Sequence, residues 1–195
     1  FAKFYGIRHE IFEVGIADEI KLNPQNRCYL CKKAVFSRLL ARAKELGFTN
    51  LADGTNKDDL GEYRPGLKAK EELGVLSPLI NLRKFEIREL SRELNLATAD
   101  KPSYACLLTR LPHEKEISVS DLNLVEAAEN LLIKSGYANV RARLDDRKMK
   151  LQMPFSSMQN FLNDVKFKSI VKELVALGAA EVTLDLKGLR EDVLV

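Results

Sequence analysis

YLCKKAVFSRLLARAKELGFTNLADGTN, residues 29–56, decides the fold. Leu30, Ala34, Phe36, Leu39, Leu40, Ala43 and Leu46 recur at helical spacing, and Gly47 closes the helix. Residues 49–52 come next as a short strand candidate, and the chain then turns polar at Asp53. Upstream, residues 1–6 (FAKFYG) look like the last turn of a helix with its C-terminal glycine. Residues 9–14 (HEIFEV) alternate like a strand, and Asn23-Pro24 marks a turn. Downstream come a polar loop (53–66), a short helix (68–73), an extended stretch (75–82) and an amphipathic helix (84–94). Helix, strand and loop in this order predict an α/β fold, a parallel sheet with flanking helices over residues 1–100. A domain that opens on the end of a helix is expected to lack its preceding segment.

Residues 97–120 hold two prolines and no clean period, so 101–117 reads as a connecting loop, the one that carries Cys106. Residues 118–195 form a second, smaller α+β domain. A helix is expected over 120–135, ended by Gly136. Two strands are expected at 139–144 and 148–153 with Asp145-Asp146 at the turn. One or two helices over 155–177 and a strand at 181–186 complete it.

Composition excludes more than it identifies. The 195 residues are 46% hydrophobic and 30% charged, ordinary for a globular protein. No apolar run approaches the roughly 20 residues of a membrane helix. Thirty-one Lys+Arg against 28 Asp+Glu leave a net charge of +3, too small a basic excess to point to nucleic acid. Three cysteines, Cys28, Cys31 and Cys106, are a poor disulfide framework, and nothing marks secretion. A reducing, cytoplasmic setting is the resulting expectation.

Cys28 and Cys31 stand at the entry of the first helix, where Arg27, Lys32 and Lys33 suit anionic sulfur. Taken alone, the C-x-x-C is half a zinc site, a redox dithiol, or two ligands of an iron–sulfur cluster. Cys106, between Lys101 and Arg110, lies in the irregular loop. Three thiolates hold a cubane cluster at three irons and leave the fourth open, so the odd count suits an open cluster. Asp53, Asp58, Asp59 and Glu62 offer oxygens to Mg²⁺, and Gly54, Gly61 and Gly66 allow close backbone approach to a ligand. Arg141 and Arg143 share a strand face by period two and suit a phosphate or carboxylate. Solvated loops and basic strand faces account for the same patterns.

Arg27-Cys28-Tyr29-Leu30-Cys31-Lys32-Lys33, Asp53-Gly54-Thr55-Asn56 leading to Tyr63-Arg64-Pro65-Gly66-Leu67, and Lys101-Pro102-Ser103 before Ala105-Cys106-Leu107 together resemble the LarE family. These are ATP-dependent sulfur transferases of the PP-loop pyrophosphatase superfamily. The resemblance covers nearly the whole chain. It implies sulfur insertion in making the nickel-pincer nucleotide. A carboxylate of a pyridinium dicarboxylate mononucleotide is adenylated with ATP and Mg²⁺, then converted to a thiocarboxylate. Some members sacrifice the sulfur of a single cysteine, matching Cys106. Others bind a [4Fe-4S] cluster on three cysteines, matching Cys28, Cys31 and Cys106, and take sulfide from a donor.

By the same resemblance, Lys32, Thr109, Arg110, Arg141 and Arg143 contact substrate or phosphate. Asp53, Gly54, Asp58, Asp59 and Arg64 belong to the nucleotide and Mg²⁺ loop. Glu129 matches one acid of a secondary metal site whose other two acids are replaced by Gln152 and Asn160. The R-F-P-Y-G of the family reads Arg110-Leu111-Pro112-His113-Glu114 here. Its S-G-G-x-D-S phosphate loop does not occur in these residues, which suggests a chain that begins after it. Partners implied are the nucleotide substrate, ATP, a sulfide donor and further copies of the chain, as a homo-oligomer and by resemblance a hexamer. The alternatives are a tRNA-thiolating PP-loop enzyme and a non-catalytic zinc or oligomerisation module.

Overall fold

A computed structural model describes residues 1–61, 65–101 and 104–189, and divides the chain into two units, Phe1–Lys101 and Pro102–Val195. Helix and sheet are mixed, with one three-stranded sheet among the described residues.

In the first unit α1 spans Arg27–Glu45, α2 Gly66–Glu72 and α3 Lys84–Glu93, close to the spans expected. α1 ends as its sequence requires: Gly47 takes φ 81° and Phe48 N–H reaches back to the Ala43 carbonyl at 2.8 Å. α2 packs on α1 through Gly66. A Cβ there would lie 2.5 Å from Lys32 Cδ, so a larger residue would have to displace the lysine stem. The opening residues form a helical turn closed by Gly6 at φ 65°.

The sheet expected in this unit differs. Among the described residues it is reduced to one parallel bridge, Ala52 with Leu76, made by Leu76 N–H to Leu51 O and Asp53 N–H to Leu76 O, each 2.8 Å. Residues 9–14 are not in a strand; Glu10 is instead bound by Arg42 of α1 at 3.1 Å. Alternation specifies which face a strand would bury, but a strand also needs a neighbour for its amides and carbonyls. Among the described residues, the fully buried apolar side chains of this unit are Ile20, Ala69, Val75 and Ala99.

Where the bridge ends, a polar cluster fixes the chain. Asp53 Oδ1 accepts from Ser77 Oγ at 2.7 Å and from Thr55 N–H at 3.1 Å, and Oδ2 accepts from Thr55 Oγ1 at 2.7 Å. Lys70, itself buried, donates to Ser77 Oγ and stands 3.9 Å from Asp53. Burial pushes the Asp53 carboxyl up, but the Thr55 and Ser77 hydrogen bonds and the Lys70 charge together hold it below the usual carboxylate range.

The second unit has a fuller core. α4 spans Val119–Lys134, β1 Arg141–Asp145, β2 Lys148–Gln152, α5 Phe155–Asn163, α6 Phe167–Ala176 and β3 Glu181–Leu184. The Ser118 hydroxyl caps α4 through the Asp121 amide. β1 and β2 pair antiparallel and β2 pairs β3 in parallel, in the order β1-β2-β3. The hairpin loop is Asp146-Arg147, both at positive φ, one residue later than the sequence suggested. Arg147 keeps this conformation with Nε on the Gly178 carbonyl at 2.8 Å. Ala142, Leu144, Met149 and Leu151 face inward against α4 and α6 and are almost fully buried, while Arg143, Lys148, Lys150 and Thr183 alternate onto the other face.

One buried ion pair joins three of these parts. Arg110, in the 3-10 turn Leu107–Arg110, donates from Nε to Glu129 Oε1 at 2.6 Å and from Nη2 to Oε2 at 3.2 Å. Glu129 lies on α4, and its Oε1 also accepts the Ala142 amide of β1 at 2.9 Å. β1 is an edge strand, so the carboxylate satisfies an amide with no strand beside it.

These contacts lead to two expected outcomes. Glu129→Ala leaves a buried guanidinium and an edge amide unpaired, and should lower the unfolding free energy by about 3–5 kcal/mol in a urea titration. Asp53 contributes stability that is complete above its unfolded-state value near ~3.9 and is lost as the pH falls through its lower folded value. The Thr55 amide protection factor, taken relative to the intrinsic exchange rate at each pH, should therefore fall on acidification in the wild type, and in Asp53→Asn it should already be lower at neutral pH and change little with acid.

Candidate functional site

The thiols fall in both units. Cys28 and Cys31 occupy the first turn of α1, three apart and so on one face of the helix. Cys28 is exposed and Cys31 partly so, and none of the three cysteines is in a disulfide. The surroundings are held by α1 and α2 together. Lys33 Nζ donates to Tyr29 Oη and to Glu72 Oε2, each at 2.9 Å, and Tyr29 Oη donates to the same carboxylate at 2.8 Å. The Tyr29 hydrogen bond and the Glu72 carboxylate raise Lys33 above the usual lysine value, so it stays cationic in this contact between α1 and α2. Lys32 rests its stem on Gly66 with Nζ 5.8 Å from the Phe36 ring centroid.

Of the nucleotide and Mg²⁺ loop, Arg64 and Glu62 lie outside the described residues. Asp53, Asp58 and Asp59 each have a partner in the protein. Asp53 is held as above, Asp58 Oδ2 accepts the Lys84 amide at the start of α3 at 2.7 Å, and Asp59 Oδ2 accepts the Asn56 amide at 3.0 Å. The three carboxylates thus shape the loop. Gly54 stands clear, with nothing within 4 Å of where a Cβ would be. Within either unit, among the described residues, no three His, Cys, Asp or Glu side chains are grouped to hold a metal.

In the second unit Cys106 is exposed, immediately before the 3-10 turn. Its carbonyl accepts Thr109 Oγ1 at 2.8 Å and Thr109 N–H at 3.0 Å. Thr109 Oγ1 in turn takes a hydrogen bond from Arg110 Nη1 at 2.7 Å. Arg143 Nη1 donates to the Thr109 carbonyl at 2.9 Å. Cys106, Thr109, Arg110, Glu129 and Arg143 therefore form one connected cluster. Arg141 shares the Arg143 face of β1 by strand period. Glu129 has both carboxylate oxygens engaged by Arg110 and Ala142, which leaves it a structural acceptor here.

Sequence reading missed Ser77 and Lys70, which complete the Asp53 cluster, and Asp185, which bonds Gln152 at 2.7 Å. None belongs to a motif; only the strand register and the bridge bring them into place.

No family model matches the chain. It is 38% identical over 191 residues to the uncharacterized protein slr1717 of Synechocystis, covering 96% of this chain and 71% of the relative. It is 33% identical over 188 residues to the uncharacterized protein MJ0830 of Methanocaldococcus jannaschii, covering 95% and 71%. It is 34% identical over 177 residues to the pyridinium-3,5-bisthiocarboxylic acid mononucleotide synthase of Lactiplantibacillus plantarum, covering 89% of this chain and 63% of that enzyme. No helix among the described residues is long and apolar enough to cross a membrane. On these likenesses the chain belongs to one family with slr1717 and MJ0830, and it is similar to the Lactiplantibacillus plantarum synthase over 63% of that enzyme's length.

Proposed function

We propose that this chain is the greater part of a LarE-type sulfur transferase. It replaces an oxygen of an activated carboxylate on a pyridinium-3,5-biscarboxylate mononucleotide by sulfur, in the making of the nickel-pincer nucleotide. The observation that carries this reading is the 34% identity, over 89% of the chain, to the Lactiplantibacillus plantarum synthase.

The chemistry has two steps. A substrate carboxylate oxygen attacks the α-phosphorus of ATP, pyrophosphate leaves, and an acyl adenylate remains. Hydrosulfide sulfur then attacks the acyl carbon, AMP leaves with the bonding electron pair, and the released proton goes to solvent. Arg143 and Arg141 hold an anionic group of the substrate, and Lys32 is a further cation for it. The loop at Gly54 accommodates the nucleotide. Mg²⁺ arrives on the ATP phosphates, because Asp53, Asp58 and Asp59 already carry hydrogen bonds within the protein.

The donor set fits an iron–sulfur cluster: three cysteines outside any disulfide, two of them three residues apart on one face of α1. Cys28, Cys31 and Cys106 would hold a [4Fe-4S] cluster, which would supply the sulfur for transfer from inorganic sulfide. The protein's own part is to keep Cys106 presented at the surface, on a turn tied down by Arg110 and Glu129, and to hold the substrate anion.

Anaerobic reconstitution with iron and sulfide should yield a brown protein with about four irons per chain. Cys28→Ala, Cys31→Ala and Cys106→Ala should each lose most of the colour and iron while keeping the far-ultraviolet spectrum of the wild type. A colourless protein that takes up only zinc would defeat the cluster. Intact mass after a single turnover separates the sacrificial route: the reading here expects an unchanged chain, whereas loss of one sulfur from Cys106 would replace it. A salt-dependent gel shift with tRNA would transfer the same chemistry to a tRNA substrate.

A further inference from the structure

Arg143, Lys150 and Thr183 form one rung across the outer face of the sheet, with Arg143 directly opposite Lys150. Two cations facing each other across strands repel, and nothing in the packing of the core calls for them. The rung borders a concavity of about 330 Å³. A flexible arginine in such a place would normally swing away, yet this one is fixed at two points. Its Nη1 donates to the Thr109 carbonyl at 2.9 Å, and its Nε donates to Gln152 Oε1 at 2.6 Å. Among the described residues Nη2 makes no hydrogen bond.

The Gln152 amide could present either its oxygen or its nitrogen to Arg143, and only the oxygen accepts. Asp185 decides between them. Its Oδ2 accepts from Gln152 Nε2 at 2.7 Å, and its Oδ1 accepts the Lys187 amide at 3.1 Å. An ionised carboxylate only accepts, so the amide nitrogen must face Asp185 and the oxygen must face Arg143. The hydrogen bonds from Gln152 and the Lys187 amide, with the Lys150 and Lys187 charges, outweigh desolvation and hold the Asp185 carboxyl below the usual range, so it remains an acceptor at neutral pH.

We propose that Gln152 and Asp185 are positioning residues: the Asp185–Gln152–Arg143 chain locks the guanidinium so that Nη2 is left for an oxyanion at the rung, a phosphate group being the ligand of matching charge and geometry. This rests on the reading that Arg143 holds an anionic group of the substrate. Gln152, which the sequence marked only as a departure from an acidic position, thereby acquires a role that an acid would perform differently, since a carboxylate there would face Asp185.

The test uses the isotope-labelled chain, titrated with inorganic phosphate at constant ionic strength and followed by nuclear magnetic resonance. Arg143→Ala should abolish the saturable response. Gln152→Leu and Asp185→Asn should each weaken phosphate by about tenfold, the loss of one well-aimed charged contact. The second readout needs no ligand. Gln152→Leu should move the Arg143 Nε–H resonance to the position of exposed arginines, and Gln152→Glu, which keeps an oxygen on Nε, should keep it displaced. A role in stability alone would shift the unfolding midpoint and leave that resonance in place, which overturns the proposal. If Arg143→Ala abolishes phosphate binding while Gln152→Leu and Asp185→Asn bind as the wild type, the positioning chain is wrong and the anion reading stands. If Arg143→Ala binds phosphate unchanged, the anion reading falls and this proposal with it.

Discussion

The Arg110–Glu129 ion pair is the contact on which the second half of the molecule depends. Both side chains are almost wholly removed from water, 2% and 8% exposed. Removing two charges from solvent is costly, and their attraction offsets that cost only with good geometry and with the remaining lone pairs satisfied. Both conditions hold: two Arg110–Glu129 contacts, a further bond from the Ala142 amide, and one from Arg110 to the Thr109 hydroxyl. The pair therefore does more than join two side chains. It ties the turn after Cys106 to a helix and to the edge of the sheet, and so sets the thiol-bearing loop in register with the strand that carries Arg141 and Arg143. A hydrophobic replacement could fill the volume but would leave the Ala142 amide unsatisfied.

The first unit solves its local problem with polar contacts. Around the Ala52–Leu76 bridge a carboxylate, two hydroxyls and a buried lysine fix the start of the DGTN loop, and Asp58 and Asp59 fix its continuation toward α3. Carboxylates in a loop suggest metal ligands; here they are first of all the frame that keeps Gly54 open. Fixing the frame by short-range hydrogen bonds leaves a ligand less chain to order when it binds.

The helices were legible because helical periodicity is a local property. α1, α3 and α4 lie within about two residues of their expected spans, which is ordinary uncertainty at helix ends. The β1–β2 hairpin was legible for the same reason, although its loop is displaced by one residue. Residues 9–14 show the limit: alternation there reports amphipathic character, and no neighbouring strand among the described residues completes it. The site divides likewise. Cysteine spacing and the paired arginines could be read from single segments. The partners that decide what each residue does could not. Glu129 could be read as an acid of a secondary metal site, but not as the acceptor of bonds from Arg110 and the Ala142 amide. Gln152 and Asp185 are 33 residues apart and meet only through the β2–β3 register.

In the proposed reaction, sulfur reaches an activated carboxylate from inorganic sulfide, with the cysteines retained. The most direct measurement supplies isotope-labelled sulfide to the anaerobically reconstituted protein together with the adenylated pyridinium nucleotide, and reads the mass of the thiocarboxylate product. Labelled product is expected over several turnovers, from a chain whose three cysteines keep their sulfur. Unlabelled product in one turnover, with a sulfur missing at Cys106, would contradict it.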